Sequence, residues 1–121
     1  MHKKVLFSFK YAFEGIWLAL HTEHNLLIQL LLGILGTIMG IYFQITQIEW
    51  LIGITVFALD FSLELTNTAI EEVVDSFTDQ VHPSAKKAKD VAAAAVMTAF
   101  IAEVVVGLLI FLPYILKFLT V

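Results

Sequence analysis

Long apolar runs, rather than alternation, set the pattern of this chain. No charged residue occurs from His24 to Ile48, and Leu26 to Phe43 is almost wholly apolar. About 20 helical residues cross a ~30 Å hydrocarbon layer, so this run predicts a spanning helix over about 26–45. A second run starts at Trp50 and passes Leu65 but carries Asp60 and Glu64; it predicts a span over about 49–72. A third, over about 91–116, carries only Glu103. Residues 5–22 mix apolar positions with Lys10, Glu14 and His21, which predicts an amphipathic helix on the membrane surface anchored by Phe7, Phe13 and Trp17. Lys10, Glu14 and Glu23 interrupt what would be an apolar signal core, so no cleavable signal is expected. The longest polar stretch, residues 76–90, holds Pro83, which prevents an uninterrupted helix, and Ser84 is the expected N-cap of the next helix. Gly36 and Gly40 form a G-x-x-x-G, compatible with close helix packing but common in spans.

Composition turns these runs into a class. Apolar residues make up 60% of the 121 and charged residues 15%, against ~45–50% and ~25% in soluble domains. The expected fold is an all-α membrane protein in one domain, 1–121, with three transmembrane helices and an N-terminal surface helix. The absence of cysteine excludes disulfide scaffolds, thiol nucleophiles and thiolate metal sites. A net charge of −4 gives no basic footprint for nucleic acid. Lys3, Lys4 and Lys10 precede the first span, and Lys86, Lys87 and Lys89 lie between the second and third. The positive-inside rule puts the N-terminus and the second loop in the cytoplasm, with Tyr42, Trp50 and Tyr114 near the outer interface.

The second span carries the chemistry. Asp60, Glu64, Asn67, Glu71 and Asp75 succeed one another at steps of three or four and fall within an arc of roughly 80°, whereas Glu72 falls outside it. A carboxylate in lipid costs at least ~2.5 kcal/mol, so this face must meet protein, water, a metal or a ligand. A solvated face accounts for Glu71 and Asp75 but not for Glu64. Glu23 ends the segment before the first span, beside the same end of an antiparallel second span, so Glu23 and Glu71 are candidates to share a hard cation such as Mg²⁺. Glu64, deeper, is a candidate general base. A base at the lipid boundary beside a metal at the aqueous boundary suggests phosphoryl transfer to a lipid hydroxyl. No P-loop, G-x-G-x-x-G or protein-kinase motif is present. The Lys86, Lys87, Lys89 group beside Asp90 is either a phosphate site or simply the positive-inside signal.

The run Glu64-Leu-Thr-Asn67-Thr-Ala-Ile-Glu71-x-Val-Val-Asp75 resembles the signature of the small prokaryotic integral membrane lipid kinases, the diacylglycerol and undecaprenol kinases. Further landmarks match in order: Phe9-Lys-Tyr11-Ala12-x-x-Gly15, Glu23-x-Asn25, Glu49-Trp50, His82-Pro83 and Ala88-Lys89-Asp90. The resemblance implies a homotrimer in the bacterial cytoplasmic membrane that phosphorylates a lipid alcohol with Mg-ATP. It implies Glu64 as catalytic base, with Asn67 supporting base and substrate, and Glu23 and Glu71 as metal ligands that also serve the nucleotide. It implies nucleotide contacts at Lys4, Tyr11, Asp75, His82, Lys89 and Asp90, and a lipid site around Glu64, Ala12 and Gly15. The Glu23-x-Asn25, Glu49-Trp50 and Phe111-Leu112-Pro113 elements look more like the undecaprenol kinase branch, with diacylglycerol close behind.

Four positions depart from the family pattern: Leu27 replaces a common basic residue, Ala94 a common glycine, and Asp60 and Glu103 stand where apolar residues are usual. Asp60 and Glu103 are expected to meet near the bilayer midplane as a proton-sharing pair or two neutral acids; the alternative is a polar contact to the lipid. His21 and His24 flank Glu23 without the spacing of a compact metal triad and read as interfacial residues. The competing class is a small ion- or proton-coupled transporter using the same intramembrane acids.

Overall fold

The structure is a computed structural model and describes residues 2–121, with the side chain of His2 outside the description. Among the described residues it is all helical: α1 His2–Thr22, α2 His24–Phe43, α3 Gln47–Phe77 and α4 Pro83–Thr120. α2 and α4 are long and apolar enough to cross a membrane. The apolar run of α3, though not the helix, is interrupted by its own carboxylates. α3 and α4 overrun any single span. Their 31 and 38 residues correspond to about 45 and 57 Å of helix.

Local chemistry sets the boundaries. Glu23 takes an extended conformation between α1 and α2 (φ −119°, ψ 112°), and its side chain makes no capping bond. α2 stops at Phe43, two residues short of the expected 45, where Gln44 enters the left-handed region (φ 53°). Thr46 opens α3 with a reciprocal capping box: its hydroxyl accepts from Glu49 N–H, and its own N–H donates to Glu49 Oε1. α4 begins at Pro83, not after Ser84. His82 is the N-cap, its Nδ1 accepting from Ser84 N–H at 3.2 Å, and Pro83 fills the first turn, where an N–H is dispensable.

α3 and α4 form an antiparallel hairpin in constant register. Asp75 meets Lys89 at one end, Asp60 meets Glu103 in the middle, and Glu49 meets Tyr114 at the other end. α2 lies against both helices, and α1 touches α2 and α3. Gly33 and Gly40, not Gly36, let α2 come close. A Cβ on Gly33 would run into the Phe57 ring and one on Gly40 into the Trp50 indole, whereas a Cβ on Gly36 meets nothing within 4 Å among the described residues. Trp50 is thus folded onto α2 and Tyr114 onto Glu49, while Tyr42 stays exposed.

Little of the apolar surface is buried. Leu26 is 1% exposed and Ala19, Ala92, Ala99 and Ile110 are also buried, while Leu35, Ile38, Leu51, Ile54 and Leu109 are each more than 45% exposed. A surface this apolar belongs to lipid or to other protein. On α1, Phe7, Phe13 and Trp17 are exposed as a surface anchor requires. His21 stacks on Trp17 and its Nδ1–H donates to the Trp17 carbonyl at 2.8 Å, a local role.

Candidate active site

The 3.6-residue period of α3 puts Asp60, Glu64, Asn67, Glu71 and Asp75 on one face. Glu64, Asn67 and Glu71 are half-buried and Asp75 is exposed. Asn67 Nδ2 donates to Glu71 Oε1 at 3.2 Å, which orients the carboxylate one turn away. The other amide atom, Asn67 Oδ1, is buried without a partner. Glu64 has Asp60, Glu23 and Glu71 as its charged neighbours. Glu23, freed from capping, therefore joins the α3 face from the junction of α1 and α2.

Charge around Glu64 is only weakly compensated. Among the described residues the ion pairs are Lys89–Asp75 and Lys86–Asp90, both 2.5 Å, and neither reaches Glu23, Glu64 or Glu71. Three carboxylates in one neighbourhood without an ion pair of their own repel one another; Lys89 offsets Glu71 only from a distance, and a divalent ion with oxygen ligands removes that repulsion. The donor set therefore fits Mg²⁺ in its chemistry, together with the orphaned Asn67 oxygen. It is not drawn into a closed cage: among the described residues no three acidic or histidine side chains converge tightly enough to hold an ion by themselves. Such an open set suits Mg²⁺, which keeps waters and takes phosphate oxygens.

The nucleotide candidates fall into two groups. Asp75, Lys89, Asp90 and His82 gather where α3 ends and α4 begins. Lys89 is tied to Asp75 and Asp90 to Lys86, and His82 is occupied as the α4 cap. The hydrogen bond that Lys89 donates to Asp75 holds the lysine above its ordinary range, and the one Lys86 donates to Asp90 does the same. Lys4 and Tyr11 lie apart from these, in a shallow depression with Phe7 and Ser8 formed by α1 alone. Ala12 and Gly15 are exposed on α1, and nothing crowds Gly15. The structure thus joins Glu23, Glu64, Asn67 and Glu71, and separately Asp75 with Lys89, but does not bring Lys4, Tyr11, Ala12 or Gly15 to them within one chain. Gln29 was not singled out by the sequence. It is buried, and its Nε2 lies 2.8 and 2.7 Å from the two Glu103 oxygens. A lone glutamine in an otherwise apolar span was the available signal.

Residues 10–111 match the family described as prokaryotic diacylglycerol kinase. The chain belongs to this family. It is 44% identical over 106 residues to undecaprenol kinase of Bacillus subtilis (strain 168), covering 88% of this chain and 86% of that one. It is 38% identical over 114 residues to a diacylglycerol kinase of Synechocystis, covering 93% and 65%, and 32% identical over 98 residues to one of Helicobacter pylori, covering 81% and 74%. The protein is a membrane-embedded, ATP-dependent lipid kinase. Membership sets aside the transporter reading of the intramembrane acids.

Proposed function

We propose that this chain transfers the γ-phosphoryl group of ATP to the hydroxyl of a polyprenol, undecaprenol first among them, with diacylglycerol as the second acceptor to test. The observation that carries the choice is the 44% identity to undecaprenol kinase across nearly the full length of both chains. It is supported by the sequence elements around Glu23, Glu49 and Pro113. Glu64 takes the hydroxyl proton as the oxygen attacks the γ-phosphorus, and the bond to the β-phosphate oxygen breaks to release ADP. Asn67 orients Glu71 and stands beside the acceptor. Glu23 and Glu71 hold Mg²⁺, which when bound neutralises phosphate charge. Lys4, Tyr11, Asp75, His82, Lys89 and Asp90 seat the nucleotide, and Ala12 and Gly15 border the lipid hydroxyl. Catalysis on this reading is mostly positioning and charge neutralisation.

The arrangement in the membrane follows the lysines: three spans over about 26–45, 49–72 and 91–116, with α1 on the surface and the N-terminus and the α3–α4 loop cytoplasmic. The extension of α3 and α4 beyond the ~30 Å hydrocarbon layer supports a cytoplasmic stalk at their joined ends. The exposed apolar faces and the separation of Lys4 and Tyr11 from Glu23 within one chain support a homotrimer in which neighbouring copies complete each site. The test is ATP consumption by the purified protein in micelles with Mg²⁺ and undecaprenol, diacylglycerol or no lipid. Faster turnover with undecaprenol is expected; a preference for diacylglycerol reverses the choice of acceptor, and no lipid-dependent turnover rejects the reading.

A further inference from the structure

Asp60 and Glu103 are outside the machinery just described, yet Asp60 is among the most deeply enclosed side chains of the molecule, 1% exposed. Its carboxyl faces that of Glu103 on α4. Gln29, on α2 and 4% exposed, spans both Glu103 oxygens with its Nε2. Each of the three helices thus supplies one polar group to one point. No lysine or histidine pairs with either acid among the described residues, and the other charged group facing Asp60 is Glu64 on its own helix.

Two touching carboxyls without a cation do not both ionise; one proton stays between them. The hydrogen-bond inventory leads to the same place. Both Glu103 oxygens accept from Gln29, and the buried Asp60 Oδ1 has no donor among the described residues. A carboxyl hydrogen supplies the missing donor. Glu64 lies one helical turn from Asp60 on the same face, roughly 6 Å along the axis. Whatever fixes the rotation and depth of α3 at Asp60 therefore fixes Glu64.

We propose that Asp60 and Glu103 share one proton and, with Gln29, clamp α2, α3 and α4 together so that Glu64 is held at its reacting depth. Asp60 is thus a positioning residue for the phosphoryl transfer. The kinetic part rests on Glu64 being the base, so Glu64→Gln runs beside every variant.

The test uses the full chain in micelles with Mg-ATP and the preferred lipid. Asp60→Leu removes the polar contact at similar bulk. It is expected to lower kcat about 10- to 100-fold, the scale of an ångström-sized misplacement, with KM for Mg-ATP unchanged. Asp60→Asn offers an amide donor to Glu103 in place of the proton. It is expected to keep kcat within about threefold of the parent, and its infrared spectrum at pH 7 should lose one protonated-carboxyl stretch that the parent shows. A parental kcat for Asp60→Leu beside an inactive Glu64→Gln overturns the clamp while leaving the base in place. An active Glu64→Gln removes the base instead, and the infrared comparison then decides the shared proton alone. An undiminished carboxyl stretch in Asp60→Asn overturns the shared proton, and that variant carries the test if Asp60→Leu does not fold.

Discussion

The two halves of the α3 face use the same side chain in opposite ways. At the start of α3, Glu49 is engaged through one oxygen: Oε1 accepts from Thr46 N–H at 2.9 Å and from the Tyr114 hydroxyl at 2.5 Å, and its N–H meets the Thr46 hydroxyl. Around Glu64 the carboxylates are left open. Glu64 makes no side-chain bond among the described residues, Glu71 has only Asn67, and Glu23 caps nothing. A carboxylate whose bonds are filled from within the chain closes a structure, and one left with free lone pairs beside others is available to a cation or a substrate. The first end locks the hairpin, and the second is the one proposed to react.

The largest effect expected from breaking this contrast is at Glu64. Glu64→Gln keeps the shape and removes the proposed base, and turnover should fall ~10²–10⁴-fold while the melting temperature stays near the parent's. Glu71→Gln comes next. Its apparent Mg²⁺ affinity, read from ATP turnover against Mg²⁺ concentration, should weaken roughly 10- to 100-fold, whereas the same change at Glu49 should leave it untouched.

Effects on the closed half should be read in stability and not in turnover. Gly33→Ala drives a methyl into the Phe57 ring and should cost about 1–3 kcal/mol in detergent unfolding, while Gly36→Ala should be near neutral. Thr46→Ala removes the α3 cap and should cost about 1 kcal/mol.

Much of this was legible in the residues. The apolar runs predict helices at α2, α3 and α4, and the carboxylate face of α3 comes from spacing alone, because both signals are local and periodic. The features that were not legible depend on partners distant in sequence. Nothing near Gln29 points to Glu103, 74 positions on, or near Glu49 to Tyr114, 65 positions on. The choice of Gly33 over Gly36 as the close approach depends on where Phe57 falls across the interface. The Ser84 cap was displaced because His82 precedes a proline already shaped for the first turn. The polar ends of α3 and α4 hide their continuation as helix, which the Asp75–Lys89 contact accompanies.

That contact carries the smallest expected effect. Because the pairing with Asp75 raises Lys89 above its free value of 10.5, its contribution is complete below the unfolded-state value and is lost as pH rises through the higher folded-state value. The difference in melting temperature between the parent and Lys89→Met should be constant from neutral pH to about pH 9 and shrink in more alkaline buffer.

The contrast between the two ends is tested most directly by one paired measurement: lipid-dependent ATP turnover of purified Glu64→Gln and Glu49→Gln, each confirmed folded. Turnover is expected to fall at least ~10²-fold in the first and to be retained, in a less heat-stable protein, by the second. Equal activity in the two variants, or loss confined to Glu49→Gln, would contradict it.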